Sequence, residues 1–119
     1  MKIEVSNGEI VDKFTILLIK NNLIKDEAKL KNINNEIDAL LPTMSLIQCT
    51  LMTYIELYDV NRKLWEVEDE LRLCEEQERF DDYFITLARS VYKLNDERAA
   101  IKKKINIDSN SQLIEEKSY

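Results

Sequence analysis

The chain has 119 residues, of which 45% are hydrophobic and 34% charged, with 23 acidic against 17 basic side chains and a formal net charge of −6. A single Gly and a single Pro exclude a turn-rich β fold, which needs more of both. The acidic balance repels nucleic-acid backbones, and the absence of histidine removes the commonest neutral-pH proton-transfer group and metal ligand. The length fits one domain over 1–119 that buries about 65% of its unfolded surface, and the class implied is all-α.

The lead-in "MKIEV" is short and extended, and "MKIEVSNGEI" lacks the apolar core of a signal peptide. In "SNGEI", Ser6 and Glu9 have the spacing of a capping box, with Val5 and Ile10 at the positions of a hydrophobic staple. This predicts a helix over about 7–24. Ile10, Phe14, Leu17, Asn21 and Ile24 form one stripe, and Ile16, Ile19 and Leu23 a second. Polar strips with Lys13 and Lys20, and with Thr15 and Asn22, lie between them. A helix apolar on two sides is buried between neighbours, so this is the expected central element.

Asp26 caps a second helix over 26–41, with the narrow face Leu30, Ile33, Ile37, Leu40 and Leu41, and Pro42 is expected to stop it. The alternative is one long rod kinked at 25–27. From 44 to 77 nothing breaks the helical pattern, and a rod of roughly 35 residues would span about 50 Å. Its apolar residues change face: Met44, Ile47, Leu51, Tyr54 and Tyr58 share one side, while Leu57, Val60, Leu64, Val67, Leu71 and Cys74 lie about 150° away. The rod therefore bends, or protrudes and is covered by a partner, which points to a homodimer. A last helix over 81–106 starts at Asp81, with Phe80 and Ile85 as a staple, and Lys102, Lys103 and Lys104 complement its negative end. Its seam is Phe84, Leu87, Val91, Leu94, Arg98, Ile101 and Ile105. The tail 107–119 turns at 108–111 and adds one short helical turn.

"ILLI", the longest apolar run of the first helix, is far too short to span a bilayer, so no membrane partner is expected. Cys49 and Cys74 lack CxxC spacing and read as free, packed thiols in a reducing, cytoplasmic compartment.

Arg98, in the middle of an apolar seam, is the residue on which a functional reading turns. A guanidinium there is costly unless paired, and Glu66, Glu68, Asp69 and Asp12 are the candidate partners. It reads first as a structural pin and second as an anion or ligand contact. Asn21, Asn61 and Asn95 sit in or beside apolar stripes in the same way, and Trp65 is an interface or core anchor. Convergence of Asn21, Asn61 and Arg98 would make a polar core cluster. The ligand-binding set is Asn61, Trp65, Asp69, Asn95 and Arg98.

Two enzyme readings compete. Glu56 with Asp59, and Glu66 with Asp69, are carboxylate pairs three residues apart on one helical face, the spacing that all-α nucleotide pyrophosphohydrolases use for Mg²⁺. Here both pairs fall on one helix, and such spacings arise readily by chance among 23 acids. "EIVDKFTILLIKNN" is also loosely similar to the first helix of chorismate-mutase-like bundles, with Lys20, Arg62, Arg89 and Arg98 to meet a dicarboxylate. The arginine which that fold expects near the end of the helix is replaced by Asn21 and Asn22. There is no Gly-rich phosphate loop, zinc pattern or activated nucleophile, and no cofactor is implied.

"VSNGEIVDKFTILLIK", "LWEVEDELR", "FITLARSVYKLNDERAAIKKKIN" and the terminal "EEKSY", in this order over nearly the whole chain, resemble a family of short bacterial and phage proteins labelled as a domain of unknown function. Glu27 departs from it, because the family has proline after the turn aspartate. The resemblance implies no reaction, substrate or cofactor. It implies recurrent polar positions at Asn61, Trp65, Glu66, Glu68, Asp69, Arg72, Arg89, Asn95, Asp96, Arg98, Glu115, Glu116, Lys117 and Tyr119, and an accessory role near surface-polysaccharide genes. The reading is a cytoplasmic antiparallel helical bundle, or pair of long-helix hairpins, that dimerises and binds a protein or small anionic ligand without catalysis. Phosphate-ester or dicarboxylate chemistry is the alternative.

Overall fold

The computed structural model describes residues 1–118. Among them four helices and no strands form: α1 (Asn7–Leu23), α2 (Glu27–Met44), α3 (Leu51–Glu76) and α4 (Asp82–Asp108). Each starts on a side-chain oxygen that accepts a backbone N–H at the third position. These are Ser6 from Glu9 N, Asp26 from Lys29 N, Thr50 from Thr53 N and Asp81 from Phe84 N. The capping box of α1 is half realised. Ser6 caps, while the Glu9 carboxylate accepts from Lys102 Nζ at 2.6 Å.

Where the chain departs from expectation, the causes are local. Ile24 takes an extended conformation and separates α1 from α2, which excludes the single kinked rod. Pro42 does not stop α2. It sits in the last turn, and the helix continues to Met44, because one lost hydrogen bond near a frayed end costs less than one in the interior. The rod expected over 44–77 is broken at 45–50. Ser45 N bonds Leu41 O, and Leu46 N and Ile47 N make three-residue turns back to Thr43 O and Met44 O. Thr50 then restarts the helix at Leu51. The break takes Met44 and Ile47 off the rod, whereas Leu51, Tyr54 and Tyr58 stay on α3 with Leu57 and Val60.

Helices α3 and α4 end without glycine. After α3, Arg79 N bonds Cys74 O and Glu78 N bonds Glu75 O, with Glu78 left-handed at φ 51°. After α4, Ser111 N bonds Asn106 O and Asn110 N bonds Ile107 O, with Asn110 at φ 54°. Both are Schellman ends. Because α4 runs to Asp108, Lys102 to Lys104 lie a turn before its end rather than on it. No further helical turn forms over 111–118.

Helix α1 packs against α2, α3 and α4, and α2 packs on α1 alone. Contacts from Gly8 to Asn106 and from Asp12 to Arg98 run α1 antiparallel to α4, and a pair between Lys13 and Glu36 runs α2 antiparallel to α1. Helices α3 and α4 form a long hairpin closed over 77–81. The core sits where the N-terminal ends of α1 and α3 meet the C-terminal end of α4. Val11, Leu57, Val60 and Ile105 are buried together, with Met44, Ile47, Cys49, Tyr54, Leu94 and Ile101 against them. Leu51, expected on a buried stripe, is 73% exposed, because the break at 45–50 carries Met44 and Ile47 inward without it. Both cysteines are free, Cys74 buried and Cys49 half-buried, and burial pushes the Cys49 thiol up from its ordinary value. No helix among the described residues is long and apolar enough to cross a membrane.

The one glycine of the chain stands at the closest crossing. Gly8 is buried, its N–H donates to Asn106 Oδ1 at 2.6 Å, and a Cβ there would run into the Lys102 carbonyl oxygen. The obstacle is helix backbone, so neither side can yield by a rotamer change. Gly8→Ala is expected to destabilise the fold by about 2–4 kcal/mol in urea unfolding, as overpacking against an immovable group does. Glu78→Gly relieves a left-handed residue and is expected to raise stability by about 1 kcal/mol in the same measurement.

Candidate functional site

The polar centre is built on Asp12, which lies on α1 one residue from the core side chain Val11 and is 1% exposed. A buried carboxylate needs charge and hydrogen bonds to stay ionised, and two other helices supply them. From α4, Arg98 donates Nε to Asp12 Oδ1 at 2.8 Å and its terminal nitrogen to Oδ2, a two-pronged pair. From α3, Asn61 donates to Asp12 Oδ1 at 2.9 Å and to Thr15 Oγ1 at 2.8 Å. Thr15 donates to the Asp12 carbonyl at 2.7 Å. Among the described residues no buried side-chain N or O lacks a partner. The hydrogen bond to Asp12 holds the Arg98 guanidinium above its ordinary value.

Arg98 is therefore pinned by Asp12, and neither Glu66, Glu68 nor Asp69 is its partner. Asn61 joins the same carboxylate, as the idea of a polar cluster requires, but Asn21 is not part of it. On the strip of α1 that carries Thr15 and Asn22, Thr15 is fully buried while Asn22 is exposed. Thr15 and Gly8 are the residues that sequence reasoning passed over. The available signal was a lone glycine placed just inside a helix start, where only a close neighbour explains it.

Asn61, Trp65, Asp69, Asn95 and Arg98 all line one open cleft of about 420 Å³ between α3, α4 and the flank of α1, together with Ile16, Leu64, Glu68 and Arg72. They converge because α3 and α4 run antiparallel there, so the 61–72 and 95–98 stretches face each other. The Arg98 side chain, 28% exposed, reaches from the buried pair to the cleft wall. Two carboxylates, Glu68 and Asp69, face two guanidiniums, Arg72 and Arg98, and one of these already belongs to Asp12. The cleft thus carries no surplus positive charge.

The four carboxylates of the metal alternative do not converge. Glu56 and Asp59 line a different groove beside Lys63, Asp69 lines the cleft, and Glu66 pairs with Arg62 at 3.2 Å. No group of three or more Cys, Asp or Glu side chains among the described residues is arranged to hold a metal ion. The cations of the dicarboxylate reading do not gather either. Arg62 is paired with Glu66, and neither cleft beside Arg98 is lined by Lys20, Arg62 or Arg89. On the other side of Arg98, a cavity of about 310 Å³ lies between α4 and the tail, where Glu115 and Glu116 meet Lys102 and Lys103. Tyr119 lies outside the described residues.

Removing Arg98 would strand a carboxylate in the core. Arg98→Met is expected to cost about 3–5 kcal/mol at neutral pH. The double variant Asp12→Leu with Arg98→Met is expected to recover most of the loss in the same unfolding curves. A double variant no more stable than the single one would count against the pair as the source of the effect.

Neither curated proteins nor solved structures yield a match to this chain. A family of unknown function, DUF6165, matches residues 1–119, and the chain belongs to that family.

Proposed function

We propose that residues 1–119 act as one all-helical, non-enzymatic binding module that pairs with a second copy of itself in a reducing, cytoplasmic compartment. The observation that carries self-association is surface. The chain exposes 8434 Å², whereas a folded monomer of 14.1 kDa is expected to expose about 6,700 Å². The excess is about twice the 800 Å² that each partner contributes to an interface of ordinary size. The radius of gyration, 16.0 Å, is likewise larger than the roughly 13.5 Å of a compact chain of this length.

The excess has an address. Leu41, Leu46, Leu51, Met52 and Ile55, at the corner where α2 gives way to α3, are all exposed, Leu46 at 83%. Exposed large apolar side chains this close together along the chain suit an interaction surface. The other apolar end, at the tip of the α3–α4 hairpin, is partly satisfied within the chain. Phe80 and Phe84 stack edge to face at 5.2 Å, Arg79 lies over the Tyr83 ring, and the Tyr83 hydroxyl donates to Glu70 at 2.8 Å.

The reading as a binder, not a catalyst, is supported by the fate of Arg98, whose charge is spent on Asp12. The cleft with Asn61, Trp65, Asp69 and Asn95 offers an aromatic face and amides, and with Arg98 spent on Asp12 it carries no surplus positive charge. It suits a polar, near-neutral ligand better than the small anion that an unpaired Arg98 would favour.

Light scattering coupled to gel filtration at micromolar concentration is expected to give about twice the chain mass. Leu51→Lys with Ile55→Lys, both at exposed positions, should return the mass to one chain without loss of helical circular dichroism. A wild-type mass of one chain would falsify the pairing.

A further inference from the structure

The segment 111–118 runs from the Schellman turn after α4 back along that helix. It is anchored at one end, where Asn7 N donates to Ser111 Oγ at 2.9 Å. Further on it is held chiefly by charge. Lys102 lies 3.5 Å from Glu115, and Lys103 donates to both carboxylate oxygens of Glu116 at 2.9 and 3.1 Å. Leu113 and Ile114 are only partly covered, at 43% and 44% exposure. The segment does not lie flat either. The cavity of about 310 Å³ remains beneath it, floored by Ala99 and Ala100 and edged by Asn95 and Asn106.

Exposed ion pairs contribute about 0–1 kcal/mol each, so the strap is held weakly over its own space. Lifting it would take from Lys103 its partner Glu116. Lys102, 14% exposed, would stay oriented by Glu9 at 2.6 Å. That fixed ammonium, a second ammonium on the next residue and a small-residue floor make a groove matched to two successive carboxylates on an extended chain.

We propose that this face of α4 is a binding site for an acidic peptide segment with two adjacent carboxylates, and that Glu115 and Glu116 occupy it as an intramolecular stand-in. A tethered segment competes at an effective concentration of order millimolar, so the site is masked in the free protein and opens only when the strap is displaced. It shares only Asn95 and Arg98 with the cleft and uses none of the side chains of the apolar corner.

The test titrates a fluorescent peptide of sequence SQLIEEKSY onto the full chain and onto the full chain carrying Glu115→Gln and Glu116→Gln, both exposed positions. The peptide is expected to bind the double variant at least about tenfold more tightly than the wild type. Adding Lys103→Gln to the double variant should abolish that gain, and the peptide SQLIQQKSY should not bind. Inorganic phosphate at equal charge concentration should compete poorly, because it offers one anionic centre to two ammonium groups. Equal binding to wild type and double variant, no binding to the double variant, or efficient displacement by phosphate would each overturn the assignment.

Discussion

A carboxylate with almost no water contact is the constraint around which this protein is arranged. Asp12 sits beside Val11 in the core, where an uncompensated charge would be prohibitive. Its compensation comes from two other helices, Arg98 of α4 and Asn61 of α3. Sliding α4 by one turn along α1 would strand the acid. Rotating α3 would remove its amide. The pair adds little net stability over a hydrophobic replacement, but it excludes wrong registers, as polar groups buried between helices do. The Gly8–Asn106 contact sets the same register a second time, two turns along α4.

Catalysis needs charge that is free to respond to a substrate. Here Arg98 is saturated from behind by Asp12, and Glu56 and Asp59 line one groove while Asp69 lines another. What remains accessible is apolar area, an aromatic edge, amides and a lysine pair under a strap.

Much of the fold was legible in the residues because capping is local chemistry. Ser6, Asp26 and Asp81 each announce a helix within three residues. The break at 45–50 was not legible, because no Gly or Pro marks it; Ser45 and Thr50 look like ordinary helix residues until their hydroxyls are seen bonding backbone. Pro42 misled in the opposite sense, since its cost depends on how close the helix end is, and the sequence alone does not show that. The cleft residues were found by their position beside apolar stripes. Arg98's partner was one of four candidate acids, and only the crossing of α1 with α4 selects it. Asn21 looked equivalent to Asn61, but the two differ in which neighbour they face, and a helical wheel does not encode that.

Because α2 rests on α1 and nowhere else, the four helices are not equally secured. Peeling α2 away would bare one side of α1 while leaving the Asp12 centre and the α3–α4 hairpin intact. Such a piece opens on its own, at lower free energy than the whole. The molecule thus has a three-helix heart with a looser outrigger, and the apolar corner is split between them, Leu41 on the outrigger and Leu51, Met52 and Ile55 on the heart.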